Sequence, residues 1–329
     1  MVTIKTPCHN KPKLSFFYYL FQPMTLLNFF GLMPYSRQHD SPVHGISAML
    51  FSIVLFSGMD SIVKWLGGSY PTHQIMFFRC AIAMVPIVVI IIMRGGISLL
   101  RIQEPFLLSL RCFLGITAMG FAFHAFSLMR LADGIAILHT TPLFMTVLSI
   151  IFLKERVGLH RWAAVMAGFI GMVIVVRPGN SMFESGSFYM LLAAFCISCT
   201  TILIRHLSIR SDPVNLTFYF TMAGVVISSI AIFFLGWQTP QGQDWAFFIA
   251  VGFLGGMAQY LMTVSYRQAK ISTVAPLKYL SIGFGGVIAY FVWSELPDIQ
   301  SLIGITIIVA CGLYTLHREL FLDHKKKNA

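Results

Sequence analysis

"WLGGSYPTHQIMFF" (Trp65–Phe78) and "HLSIRSDPVNLTFYF" (His206–Phe220) are two versions of one pattern. In each, a short break with small or polar residues and a proline separates two long apolar runs. Pro71 falls over Pro213, and Lys64 over Arg205. The echo continues outward. "FLG" at Phe113–Gly115 recurs at Phe253–Gly255, and "LKERV" around Glu155 is answered by "WSELP" around Glu295, 140 residues later. The chain is therefore written twice.

A bilayer-spanning helix needs about 20 mostly apolar residues. Ten such segments follow residue 45, at approximately 46–66, 72–93, 105–129, 133–153, 160–177, 186–204, 214–236, 245–266, 271–293 and 300–316. Short linkers join them and leave no room for a soluble domain. The runs are too long for barrel strands and lack a period of two. Each half holds five helices. Five is odd, so the halves are expected to face opposite ways across the bilayer. Inverted repeats of this kind enclose a midplane site and rock to expose it alternately, which is a transporter arrangement. The expected layout is an N-terminal extension (1–45), a first five-helix repeat (46–180), a second (181–318) and a basic tail (319–329).

Composition supports an integral membrane protein. Of 329 residues, 57% are hydrophobic and only 11% charged, against about 25% charged in soluble domains. The mean hydropathy is +0.78. A net charge of +11 raises the possibility of nucleic-acid binding. The basic residues are spread between apolar runs rather than clustered on one face, which excludes it.

Those residues set the topology instead. With residue 45 in the cytoplasm, the cytoplasmic segments hold Lys5, Lys11, Lys13, Arg37, Arg94, Arg101, Lys154, Arg156, Arg161, Arg205, Arg210, Arg267, Lys270, Arg318 and Lys325–Lys327. The outer loops hold only Arg130 and Arg177. This asymmetry places both termini in the cytoplasm of an inner-membrane protein. The apolar stretch "LSFFYYLFQPMTLLNFF" reads as an interfacial, aromatic-rich extension. An eleventh span, a signal sequence and an upstream start are the alternatives. Cys196 and Cys199 form a CxxC inside a hydrophobic helix with no second pair and no neighbouring His, so they read as small buried residues.

Three stretches carry a family resemblance: "MDSIVKWL…YPTHQIMFFR", "LADGIAILHTTPLFMTVLSIIFLKERVGLHRWAAVMAGFIGMVIVVRPG" and "STVAPLKYLSIGFGGVIAYFVWSELPD". Over residues 46 to about 318 the chain resembles the EamA-like, ten-helix branch of the drug/metabolite transporter superfamily. The Pro142-to-Glu155 spacing followed by a Gly-rich fifth helix is the typical end of an EamA-like repeat. The second half departs from it: Ile282 stands near the Pro142 counterpart, and Pro276 comes earlier. The resemblance implies carriage of a small organic metabolite by alternating access. S-adenosylmethionine uptake is the first substrate it suggests. Riboflavin uptake and amino-acid or drug export follow.

Ionisable residues inside spans are functional hypotheses, because each costs about 2.5–3.5 kcal/mol or more at the bilayer centre. The candidates for substrate binding or coupling are Asp60, Arg79, Arg111, His124, His139, Lys278 and Tyr279. Asp60 falls over Thr201, Arg79 over Thr221 and Arg111 over Val251. Charges serving only a shared scaffold would be kept in both halves; these are not. Asp60 and Arg79 lie at similar depth and are expected to pair, with Lys64 sharing Asp60 at i+4 or snorkelling outward. Asp60 is the best carboxylate for proton coupling. Arg111 and Lys278 enter from the cytoplasmic side. They either line the cavity, where they would suit an anionic or zwitterionic ligand, or snorkel to headgroups. His139, Thr140 and Thr141 precede Pro142, which frees a carbonyl for them or for a ligand. Both His124 and His139 titrate near neutral pH when unperturbed. Tyr279 offers a ring for stacking.

No G-x-x-x-x-G-K-[ST] loop is present, so ATP hydrolysis is not expected. No H-E-x-x-H or G-x-S-x-G motif appears either, and no cofactor or metal is expected. The competing class is a lipid-acting membrane enzyme or a scaffold. An enzyme would gather a polar catalytic cluster at one interface, whereas these charges are scattered through several depths.

Overall fold

The computed structural model describes residues 42–141, 143–145, 147–148, 159–176, 184–208, 210–269, 274–295 and 298–327. Pro142, Glu155, Lys154, Arg156, Arg177 and Lys270, and nearly all of the N-terminal extension, lie outside the described residues.

Among the described residues the protein is all-helical, without strands. We number the helices α1 (Pro42–Gly67), α2 (Thr72–Arg94), α3 (Pro105–Leu128), α4 (Leu131–Leu138), α5 (Leu159–Val176), α6 (Glu184–Ser208), α7 (Pro213–Leu235), α8 (Asp244–Gln268), α9 (Leu280–Trp293) and α10 (Ile299–Lys327). Six are long and apolar enough to cross a bilayer: α1, α2, α3, α6, α7 and α8. The shorter apolar stretches include Trp162–Val175, Leu277–Trp293 and Ile299–Tyr314.

Local chemistry sets the boundaries. Pro213 opens α7 at a position where its missing N–H costs nothing. Asp212 caps that helix by accepting a 3.0 Å bond from the Val214 amide. Pro105 opens α3 in the same way. Mid-helix hydroxyls turn back on their own backbones: Thr217 donates to the Pro213 carbonyl, Thr221 to Thr217 and Thr263 to Gln259, each at 2.8 Å. This satisfies them without a partner in the apolar interior.

The outer surface is what lipid requires. Ile92, Phe233, Phe234 and Phe291 are 71–84% exposed. In water each would forgo about 25 cal/mol for every Å² of apolar surface left unburied. Inside, α2 and α8 approach closely: a Cβ on Gly256 would stand 2.7 Å from the Ala83 Cβ, and one on Gly252 would stand 2.4 Å from the Ile82 Cβ. Small residues replace the hydrophobic effect as the packing device in lipid.

Two helices are interrupted. α4 stops at Leu138, and His139 and Thr140 form a turn. α9 is preceded by a 3-10 turn over Ala275–Tyr279. The freed carbonyls of α4 are answered locally. Thr140 donates to the Ile137 carbonyl at 2.7 Å, Thr141 donates to Leu138, and Ser198 of α6 donates to Thr141 at 2.9 Å.

The ends of the bundle are tied separately. At the α1–α2 loop, Tyr70 donates to Asp244 at 2.6 Å, His73 meets the Gly236 carbonyl at 3.0 Å, and Gln74 is bonded to the Gln238 backbone. At the far end of α2, Arg210 pairs with Glu104 at 2.8 Å, and Asn215 donates to the Leu99 and Arg101 carbonyls at 3.0 Å. There Asp212 also receives Arg94 and Arg267, each at 3.4 Å.

Candidate functional site

The structure sorts the seven candidate residues into two groups and one outlier. The first group is Asp60 on α1, Arg79 on α2 and Arg111 on α3. It is organised by a residue the sequence did not single out, Phe220 of α7. The Arg111 guanidinium carbon lies 4.2 Å from the Phe220 ring centroid, and that of Arg79 lies 5.2 Å away. Both distances fall within the range of a cation–π contact. Arg111 is 1% exposed and Arg79 2%. Arg111 therefore does not snorkel: its guanidinium is enclosed within the bundle.

The expected Asp60–Arg79 ion pair does not form at salt-bridge distance. Among the described residues Asp60 makes no hydrogen bond, although Arg79 is the cation within electrostatic reach of it. Arg79 instead donates weakly to the Gly255 carbonyl at 3.4 Å and to the Cys80 sulfur at 3.8 Å. A Cβ on Gly255 would stand 3.0 Å from Arg79 Nε and 2.7 Å from the Met59 sulfur. Glycine at 255 thus lets α8 close on Arg79 beside the turn of α1 that bears Asp60. Gly115 does the same for Phe220, whose ring would lie 2.9 Å from an added Cβ. Several donors stay unused: Arg79 Nε, and Nε and Nη1 of Arg111, are buried without a hydrogen-bond partner among the described residues. Asp60 is only partly buried.

The second group gathers at the two helix interruptions. His139 Nε2 lies 2.7 Å from the Ser281 hydroxyl, and its ring lies 5.0 Å from Tyr279 at an interplanar angle of 33°. Ser281 in turn donates to the Lys278 carbonyl at 2.8 Å. The Lys278 ammonium lies 5.3 Å from the Tyr266 ring centroid. Lys278 was expected to act with Arg111. It joins His139 and Tyr279 instead, because the 3-10 turn before α9 packs against the α4 break. His124 belongs to neither group; its ring meets Tyr189 edge-on at 4.8 Å.

Lys64 has a partner other than Asp60. Its ammonium lies 2.6 and 2.7 Å from the two Glu295 oxygens and 4.9 Å from the Trp293 ring. At 11% and 24% side-chain exposure, the pair is partly shielded from solvent. Lys64 therefore neither snorkels nor shares Asp60, but ties α1 to the end of α9. The signal was present in the echo that set Glu295 over Glu155, yet nothing in it named Lys64. Phe220 and Tyr266 had no signal of their own among so many aromatics.

A multi-pass bundle that encloses two arginines and, separately, brings two interrupted helices together has the make-up of a membrane transporter. The model of the EamA-like transporter family matches the chain twice, over residues 43–177 and 184–316, and the protein belongs to that family. It is 26% identical to an S-adenosylmethionine uptake transporter of Rickettsia felis, over 84% of this chain and 93% of that protein. It is 27% identical to the pseudopaline exporter CntI of Pseudomonas aeruginosa PAO1, over 81% and 94%. A riboflavin transporter of Vibrio cholerae is 26% identical over 87% and 97%. A solved crystal structure superimposes with a TM-score of 0.65 at 17% identity, covering 85% of this chain and 99% of that one, a likeness of fold.

Proposed function

We propose that the protein is a secondary carrier, not an enzyme, that takes up a small zwitterionic metabolite across the inner membrane, S-adenosylmethionine first among candidates. It works by alternating access of two inverted five-helix halves, with both termini cytoplasmic. The observation that carries the reading is the pair of helix interruptions. His139 and Tyr279 lie 140 residues apart, at matching places in the two halves, and their rings meet. Discontinuous helices at corresponding positions mark the binding region of repeat-built transporters.

The contacts at the two ends support inversion. At one end Tyr70, in the α1–α2 loop, reaches the start of α8 through Asp244. At the opposite end Arg210, in the α6–α7 loop, reaches the start of α3 through Glu104. His73 and its counterpart Asn215 each bond a backbone carbonyl of the other half. An exchange of ends between equivalent contacts is what an inverted pair produces. The matched relatives named for S-adenosylmethionine favour that substrate, and the site chemistry suits it: cations for a carboxylate, and rings at His139, Tyr279 and Tyr266 for a planar base.

The test is thermal stabilisation of the detergent-purified protein against S-adenosylmethionine, riboflavin and amino acids. A ligand at 100 times its Kd stabilises the folded state by about 2.7 kcal/mol. S-adenosylmethionine is expected to raise Tm in a saturable way. A shift with riboflavin alone would replace the substrate and retain the carrier.

A further inference from the structure

We infer that Arg79 and Arg111, held against Phe220, form a carboxylate subsite for the transported molecule. The inference rests on the carrier reading above and adds to it the chemical group that the substrate must bear.

The argument begins with charge. Two guanidiniums of this group are buried, while its one carboxylate, Asp60, is only partly buried and lies within electrostatic reach of Arg79 without closing to an ion pair. One positive charge is in surplus within a low-dielectric interior. A buried cation is tolerated where a partner compensates it, and for Arg111 no carboxylate oxygen is within salt-bridge distance among the described residues. Both guanidinium carbons lie over the Phe220 ring at cation–π distance. The guanidinium edges stay free: Nε of Arg79, and Nε and Nη1 of Arg111, are donors without acceptors. Charge-assisted N–H···O bonds to a carboxylate are the strong kind, and a carboxylate seated here would supply the acceptors these donors lack. The surplus of one charge selects a monoanion over a phosphate dianion.

The second half of the chain shows what the scaffold alone needs. At the counterpart positions Thr221 bonds its own helix and Val251 is fully buried. The cations therefore serve something other than packing. Both guanidiniums are enclosed in this conformation, so a ligand reaches them when α2, α3 and α7 part. That is a movement alternating access supplies.

The test has two arms. The first needs no variant. The full-length protein in detergent is titrated with S-adenosylmethionine and with its decarboxylated analogue, with Tm as the readout. The analogue is expected to bind about 30-fold more weakly or worse, the size of loss seen when one partner of a buried charge pair is removed. The second arm compares sodium acetate with sodium chloride and sodium phosphate at fixed ionic strength. It uses the natural protein and the variants Arg79→Gln, Arg111→Gln and Arg111→Lys. Acetate is expected to stabilise saturably, to fail in both Gln variants, and to weaken in Arg111→Lys, which keeps the charge and loses the fork.

Equal affinity for the two sulfonium ligands overturns the subsite and leaves the substrate reading intact, as do Gln variants that bind S-adenosylmethionine normally. Acetate stabilisation without any S-adenosylmethionine binding rejects the substrate and keeps the subsite. Chloride or phosphate matching acetate overturns the carboxylate assignment. Absence of acetate stabilisation together with absence of the analogue's penalty overturns the subsite altogether.

Discussion

Phe78 and Phe220 occupy the same place in the two halves of the chain and keep opposite company. Phe78 packs among aromatic rings: Phe248 at 4.4 Å, Trp237 at 5.5 Å and Trp245 at 5.6 Å. Phe220 packs beneath two guanidiniums. The same contrast runs through the neighbouring positions. Asp60 aligns with Thr201, Arg79 with Thr221 and Arg111 with Val251 of the other half, and both threonines satisfy themselves on their own helices. At these three positions the second half is uncharged, and the first half has charges written into the same scaffold. On the proposed reading the substrate's carboxylate is recognised by the charges of the first half, and the second half supplies the walls of that subsite, Phe220 and Gly255.

Writing the second half's residues into the first gives the largest expected effect. Arg111→Val and Arg79→Thr should each reduce uptake at least about 100-fold, the two decades that ~2.7 kcal/mol of lost binding represents. Arg111→Met and Arg79→Met, closer in volume, separate recognition from packing: they should lose uptake equally without lowering Tm, because replacing buried charge by apolar groups of similar volume is often neutral or stabilising. A fall in Tm that tracks the fall in uptake would return the arginines to a structural role.

Asp60→Asn should abolish uptake driven by a pH gradient while leaving exchange partly intact. Unchanged gradient-driven uptake in proteoliposomes would remove Asp60 from coupling.

The two glycines at matched positions should behave alike. Gly115→Ala presses on Phe220 and Gly255→Ala on Arg79 and Met59, at spacings of 2.9, 3.0 and 2.7 Å. Overpacking of this kind costs about 1–3 kcal/mol, measurable as a fall in apparent Tm.

The Lys64–Glu295 pair is expected to be worth about 1 kcal/mol in a double-mutant cycle, and the swap Lys64→Glu with Glu295→Lys should recover most of it. Zero coupling would show that the contact does not hold the two helices together.

Smallest of all, Thr201→Val and Thr221→Val should change stability by less than about 0.5 kcal/mol and leave uptake as it was. A large loss from either would break the contrast between the halves.

The helical bundle was legible because span length and the loop charge pattern are local properties of the chain. The repeat was legible because a proline recurs after 142 residues and a Phe-Leu-Gly after 140. The identity of the charged residues was also legible, since charge in an apolar run is conspicuous. Their pairing was not. Depth along a helix predicts which residues share a level, but not which helices touch. Asp60 and Arg79 share a level without closing to an ion pair, Lys278 turned to His139 rather than Arg111, and Lys64 crossed to Glu295, 231 residues away. Phe220 was hidden for the opposite reason: one phenylalanine among 30 carries no mark until two cations stand on it. The break before α9 was left open by the sequence, because Pro276 does not align with Pro142, and the 3-10 turn over Ala275–Tyr279 resolves it.

The measurement to make first is counterflow of radiolabelled S-adenosylmethionine into proteoliposomes carrying the natural protein, Arg111→Val, or Thr221→Val. Label should accumulate in vesicles with the natural protein and with Thr221→Val, and should stay at the protein-free level with Arg111→Val. Accumulation at the natural rate in Arg111→Val vesicles would contradict the assignment of recognition to the charged half.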